Sequence, residues 1–185
     1  LLALMDRSNI QQLAVCPTRA IFSDWRIGNE EAISLAEKYP DRFIPFVSMS
    51  STFLKGELVE YLKQYKARKV RGIRLYPYHQ SFRLTKDHRV AKILETAEEL
   101  RFPVMLPIRV IMNWGLPQLD TGSIEDVVSS FPKVSFILSA LNYGEFNWAR
   151  ELMRVFPNVF LEISGLQGFR ILEQAVKSMG SERIL

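Results

Sequence analysis

Short runs that are apolar on both faces alternate with helix-like segments along the whole sequence, and this alternation is the feature that most restricts the fold. Strands buried on both faces are typical of a parallel sheet that is covered by helices. The predicted strands are Gln12–Thr18, Phe43–Met49, Val70–Tyr76, Phe102–Val110, Val134–Leu141 and Val159–Ser164, with Arg183–Leu185 as the beginning of a seventh. The sequence therefore predicts an α/β fold.

Amphipathic segments with end signals separate these runs. Asp87 is placed to cap the helix that follows it, and Ser123-Ile124-Glu125-Asp126 resembles a capping box with Asp in place of Glu. Prolines and a glycine predict where several helices end. The predicted helices are Leu1–Ser8, Asn29–Tyr39, Asp87–Arg101, Ser123–Pro132, Glu145–Pro157 and Gly168–Met179.

The spacing of the strands selects between two parallel architectures. Strand starts recur about every thirty residues, close to the ~31 residues per unit of a (β/α)₈ (TIM) barrel. A doubly wound open sheet is the alternative, but no G-x-G-x-x-G follows the first strand. Because eight strands close a barrel, we expect a first strand before Leu1 and an eighth that runs past Leu185. Residues 1–185 are then one domain, an incomplete barrel.

Composition and charge narrow the kinds of partner. The net charge of +4 is modest, and the basic stretch from Lys63 to Arg71 lies at a predicted helix end, where cations offset the helix dipole. A phosphate-binding patch is the alternative interpretation of that stretch. We expect a small-molecule ligand and no nucleic acid or membrane, since no apolar run approaches the ~20 residues of a span. The single cysteine, Cys16, indicates a cytoplasmic protein.

Seven segments, in order and at suitable spacing, resemble the amidohydrolase-related family that includes aminocarboxymuconate-semialdehyde decarboxylase. Each segment matches weakly alone, but together they cover nearly the whole sequence. They are Asn29-Glu30 with Tyr39–Phe43, Arg71–Pro77, Pro77–Gln80, Phe102–Leu106, Phe136–Leu138, Phe160–Gly165 and Gly180–Leu185. The resemblance implies a barrel with its site at the carboxyl ends of the strands, and is compatible with a homodimer.

The resemblance also implies a divalent metal, commonly zinc, held by H-x-H on strand one, His on strands five and six, and Asp on strand eight. In the family's numbering, which counts the strand expected before Leu1, strand five is Phe102–Val110 and strand six is Val134–Leu141. The two histidine positions fall on Pro107 and Ala140, whose side chains have no donor atom for a cation. The other ligands are expected before Leu1 and after Leu185. The sequence therefore predicts no metal ligand within this chain, and a zinc site that is reduced or absent.

Two residues are the candidates for catalysis. His79 follows the predicted strand Val70–Tyr76, at the functional end of a barrel, where it is a candidate general acid or base or substrate hydrogen-bonder. The alternative is a loop histidine that packs on Tyr76 or Tyr78. Arg109 shares the inward face of its strand with position 107 and is suited to a carboxylate or phosphate. Its alternative is an ion pair with Glu162.

Four further residues are candidates for substrate binding. Arg74 lies near the end of its strand, although a structural role suits it as well. Asn142 follows the predicted strand Val134–Leu141 and could orient a ligand, whereas Glu145, three residues on, suits the start of a helix. Ser164, at the end of the predicted strand Val159–Ser164, can reach the mouth but has no base beside it. Trp114 could line a pocket.

The sequence is compatible with two functions. The first is a hydrolase or decarboxylase of the amidohydrolase-related type, acting on a small carboxylated or cyclic substrate. The second is a non-catalytic barrel that has kept the fold as a binding or scaffold protein, which the substitutions at positions 107 and 140 favour.

Overall fold

The structure is a computed structural model, which describes residues 1–50, 57–109 and 119–185. Six strands form one parallel sheet in the order β1-β2-β3-β4-β5-β6. They are β1 (Leu13–Val15), β2 (Phe43–Ser48), β3 (Gly72–Arg74), β4 (Val104–Pro107), β5 (Phe136–Ser139) and β6 (Val159–Leu161). Ile184 forms an isolated parallel bridge with Leu161, where the seventh strand was predicted.

The strand order decides between the two architectures predicted from the sequence. Each strand pairs in parallel with the next one along the chain, from β1 to β6. A doubly wound sheet reverses its strand order at a switch point, whereas a barrel adds its strands in sequence. The sequential order is therefore that of a barrel, and the six long predicted strands are confirmed in shortened form.

Eight helices lie in the described residues. They are α1 (Leu2–Arg7), α2 (Thr18–Phe22), α3 (Trp25–Lys38), α4 (Glu57–Ala67), α5 (His88–Leu100), α6 (Thr121–Ser130), α7 (Tyr143–Val155) and α8 (Ile171–Met179). Within residues 1–50, 57–109 and 119–185, no helix is long and apolar enough to cross a membrane.

Side-chain caps explain where three helices begin. The predicted cap at Asp87 is confirmed, since its carboxylate accepts a hydrogen bond from the Arg89 backbone. The capping box predicted at residues 123–126 is wrong: Asp120 accepts from the Ser123 backbone N–H, and the helix begins two residues earlier. Asp24 caps α3 in the same way, so that helix starts before the predicted Asn29.

The two faces of the sheet have different environments. Val47, Ile73, Leu106, Leu138 and Leu161 are fully buried, and they pack with helix side chains in the main core. Because successive side chains of a strand point to opposite faces, the intervening residues point to the inside of the curved sheet. These inward residues are Phe46, Arg74, Met105, Ser139 and Glu162.

Asn29 joins α3 to the end of β2. Its side chain is fully buried; its amide nitrogen donates to the Ser48 carbonyl and its amide oxygen accepts from the Ser48 N–H, both at 2.8 Å. The side chain thus continues the hydrogen bonding of β2 where the strand ends. It fixes the backbone beside the inward-facing Ser48 hydroxyl, which accepts from Gln80 at 2.9 Å.

Candidate functional site

A cavity of about 280 Å³ lies on the inner face of the sheet. It extends to the carboxyl ends of β1, β3 and β6, which is the end that carries the active sites of barrel enzymes. Its size is near the lower end of the range for ligand pockets, which suits a small ligand. The side chains that give it its chemistry are Cys16, Phe46, Arg74, Met105, Glu162 and Ser164.

Arg74 brings a positive charge to this cavity. Its Nε is buried without a hydrogen-bond partner in the described part of the chain. Its guanidinium lies 5.3 Å from the centre of the Tyr76 ring, which is a cation–π contact. A buried guanidinium nitrogen that lacks a partner is costly, so the arrangement favours an anion that enters the cavity.

Glu162 and Ser164 form a compact acidic turn at the rim of the same cavity. The Glu162 carboxylate accepts from the Ser164 backbone N–H at 2.6 Å and from its hydroxyl at 2.9 Å. Ser164, predicted to bind substrate, therefore lines the cavity, with its hydroxyl proton directed to Glu162. This carboxylate offers a ligand an acceptor on a different strand from Arg74.

Cys16 also lines the cavity, although it was not among the site residues predicted from the sequence. Burial raises the pKa of the thiol to about 11, and the positive charge of Arg74 acts in the opposite direction. The thiol is therefore protonated at neutral pH. In that state Cys16 contributes a weak donor and an apolar surface, and it lacks the thiolate that nucleophilic attack requires.

Arg109 pairs with Glu145, and the ion pair with Glu162 considered from the sequence is wrong. Two guanidinium nitrogens donate to the two carboxylate oxygens of Glu145, each at 2.6 Å. Both side chains are mostly buried, 19% and 13% exposed. The pair ties the end of β4 to the start of α7, and Arg109 does not line the cavity.

Asn142 holds the first turn of α7. Its side chain accepts from the Gly144 backbone N–H at 2.8 Å, while the Asn142 N–H donates to Glu145 at 3.0 Å. These bonds form a capping box. The Asn142 side chain, which was predicted to orient a ligand, thus caps α7. Glu145 lies in the first turn of this helix, as the sequence predicts.

His79 lies between two aromatic rings. The ring centres of Phe22 and Tyr76 are 5.2 and 6.4 Å from that of His79, both edge to face. Its side chain does not line the cavity, and the contact with Tyr76 is the packing that was its alternative interpretation. A catalytic role for His79 stays a prediction, and Trp114 lies outside the described residues.

The described residues do not fit a metal ion. No three His, Cys, Asp or Glu side chains converge among them. Residues 51–56 and 110–118 contain none of these four residue types. Pro107 pairs in register with Ser139, and Ala140 directly follows Ser139 in the chain. The buried Ser139 hydroxyl has no hydrogen-bond partner in the described part of the chain. Neither Pro107 nor Ala140 supplies a donor.

The Arg109–Glu145 pair predicts a pH-dependent contribution to stability. Burial raises the pKa of the Glu145 carboxyl, but the hydrogen bonds from Arg109 and Asn142 outweigh it and leave the pKa below its usual value. Stability from this group is present above the unfolded pKa of about 4.3 and is lost as pH falls through the lower folded pKa. We expect Glu145→Gln to lower the free energy of unfolding by about 2 kcal/mol at pH 7, and by less near pH 3, which is below the unfolded pKa.

Urea unfolding at the two pH values measures this difference. Glu151→Gln is the matched control, because Glu151 lies on the same helix with its side chain 54% exposed and pairs only with neighbouring arginines among the described residues. A loss from Glu145→Gln that is equal at both pH values would contradict the assignment.

Comparison with known proteins supports the fold. The amidohydrolase family profile matches residues 25–185. An uncharacterised TIM-barrel protein from Bordetella bronchiseptica is 20% identical with a TM-score of 0.71, and the match covers all of this chain and 66% of that one. The corresponding barrel prediction is confirmed. The chain thus spans about two thirds of the length of that structure. No curated protein matches.

Two decarboxylases of known structure have the same fold. 5-Carboxyvanillate decarboxylase from Sphingomonas paucimobilis is 12% identical with a TM-score of 0.71, and the match covers 100% of this chain and 70% of that one. 2,6-Dihydroxybenzoate decarboxylase from Rhizobium is 15% identical with a TM-score of 0.72, with coverage of 100% and 74%. At these identities the likeness establishes the architecture.

Proposed function

Because this chain belongs to the amidohydrolase family, we propose that its inner cavity binds a small carboxylated, cyclic substrate for hydrolysis or decarboxylation. The observation that carries the proposal is Arg74, whose buried Nε lacks a partner in the described residues and whose side chain lines the cavity. A guanidinium fork matches a carboxylate in shape and charge.

The other walls suit a ring. Phe46 and Met105 are apolar and line the cavity beside Arg74. Both can contact a planar ring, the methionine through its polarizable sulfur. Glu162 gives an acceptor for a ring hydroxyl. The two decarboxylases with this fold are named for substrates that are carboxylated aromatic rings, which supports the same class here.

A direct binding measurement tests the anion site. Isothermal titration with 2,6-dihydroxybenzoate and with the neutral 2,6-dihydroxybenzamide compares a carboxylate with an uncharged isostere. We expect the carboxylate to bind more tightly, and Arg74→Met to weaken its binding by about 10- to 100-fold, since hydrogen bonds to charged groups contribute about 1.5–3 kcal/mol.

Arg83→Met is the matched control. Arg83 is exposed in the loop after β3 and does not line the cavity. Its substitution removes the same charge and should leave binding unchanged. Equal affinity for the acid and the amide, or full binding by Arg74→Met, would exclude Arg74 as the anchor.

We further propose that the metal site is reduced or absent. The support is the donor-free side chains of Pro107 and Ala140 together with the lack of a ligand cluster in the described residues. Elemental analysis after incubation with Zn²⁺ and dialysis should find clearly less than one equivalent of zinc. Stoichiometric zinc that resists dialysis would contradict this part of the proposal.

A binding barrel without catalysis is the second candidate, and one observation favours it. Of the residues that carry chemistry, His79 and Arg109 do not line the cavity, and the Cys16 thiol is protonated. Incubation of the protein with 2,6-dihydroxybenzoate, followed by chromatography for the decarboxylated product, separates the two. Binding that depends on Arg74 without turnover of this or related ring acids favours the binding barrel.

A further inference from the structure

A second and larger cavity lies at the opposite end of the sheet. It has a volume of about 800 Å³. The residues that line it include Gln12, Arg71 and Pro103, which directly precede or lie next to the starts of β1, β3 and β4. The cavity is therefore at the amino-terminal end of the strands, whereas Arg74 and Ser164 are at the carboxyl end.

The inner walls of this cavity are apolar and stiff. Phe43, Ile44 and Phe46 come from β2, and Pro40 and Pro103 come from the turns that lead into β2 and β4. Prolines have a fixed φ and lose little freedom when a ligand orders them. Such walls suit the apolar body of a ligand. Phe46 also lines the smaller cavity, so its ring is a shared wall.

Three cations lie at the rim, and they differ in their partners. Arg68 is neutralised by Glu30 at 2.6 Å and Glu37 at 3.0 Å. The side chains of Lys69 and Arg71 have no ion pair or hydrogen bond within the described residues. The rim therefore carries two positive charges that are free to meet an anionic group beside the apolar walls.

Lys69 occupies a position where glycine fits best. Its φ is 61°, and it is the second residue after the end of α4, in a Schellman motif in which the Val70 N–H donates to the Tyr65 carbonyl at 3.0 Å. A lysine in the left-handed region is strained relative to glycine. The helix dipole alone does not require it, because Lys66 already supplies a cation in the last turn of α4.

We propose that this cavity is a second ligand site, which binds a small amphipathic anion. The apolar part of the ligand contacts Phe43 and the prolines, and its carboxylate or phosphate group binds Lys69 and Arg71. This site is independent of the ring-acid site proposed for the carboxyl end, and each can be tested without the other.

Isothermal titration with octanoate, octyl phosphate and octanol, each below its micelle concentration, tests the proposal and separates the two anionic groups. We expect the two anions to bind at least tenfold more tightly than octanol. Lys69→Gly combined with Arg71→Gln should weaken anion binding at least tenfold. Because glycine suits the left-handed conformation, thermal unfolding of Lys69→Gly alone should show a stability equal to or above that of the parent.

Two control variants complete the experiment. Lys63→Ala removes a cation of α4 that does not line the cavity, and Arg74→Met alters only the other site; both should keep octanoate affinity within twofold. Octanol binding as tight as octanoate, no binding of either anion, or unchanged affinity in the double variant would each overturn the proposal. Loss of octanoate binding in Arg74→Met would show a single shared site.

Discussion

Replacing Asn29 by alanine is expected to lower the free energy of unfolding by about 3 kcal/mol or more. The side chain is fully buried. It forms two hydrogen bonds with the backbone of Ser48, at 2.8 Å each, and its amide nitrogen also donates to the Tyr65 hydroxyl at 3.4 Å. Alanine leaves a buried N–H and a buried C=O without partners, and each such group costs about 1–3 kcal/mol.

Equilibrium unfolding in urea measures this loss. Asn147→Ala is the matched control, because Asn147 is exposed on α7 and alanine has the higher helix propensity. We expect that variant to lie within about 0.5 kcal/mol of the parent. If Asn29→Ala loses less than about 1 kcal/mol, the role of Asn29 as the anchor of β2 is wrong.

Asn29 also shows what a sequence can and cannot reveal about such a fold. Runs apolar on both faces predict buried parallel strands, because that pattern depends only on the chain's own periodicity. The pairing of Asn29 with Ser48 joins residues 19 positions apart. No local pattern specifies such a contact. The family resemblance marked residue 29, and the structure supplied its physical role.

For the candidate site, too, local sequence patterns predicted positions on strands but not the contacts between distant residues. Their positions near strand ends predicted that Arg74 and Ser164 lie at the mouth, and both line the cavity. The same reasoning offered Glu162 to Arg109, because it considered only strand residues. The actual partner, Glu145, reaches Arg109 from a helix start whose position depends on the Asn142 cap. The periodicity of strands carries no information about where a helix cap places the first residues of the helix.

Gly72→Ala is expected to lower the free energy of unfolding by about 3 kcal/mol, the upper part of the range for overpacked sites. A Cβ at position 72 would overlap the ring of Phe46, which is only 7% exposed. The ring lines the cavity beside Arg74, so a displaced ring changes the shape of that cavity. The substitution should therefore also weaken binding of 2,6-dihydroxybenzoate, although it removes no group that contacts the ligand.

A double-mutant cycle isolates this clash. Phe46→Leu removes the ring, so in its presence Gly72→Ala should cost at least about 1 kcal/mol less than it does alone. Gly122→Ala is the matched control: a Cβ there meets only a side-chain oxygen of Asp120 at 3.5 Å, and the position is exposed on α6. That variant should be neutral or more stable, by up to about 1 kcal/mol. Additive losses for Gly72→Ala and Phe46→Leu would mean that glycine is needed at position 72 for a reason other than the space taken by Phe46.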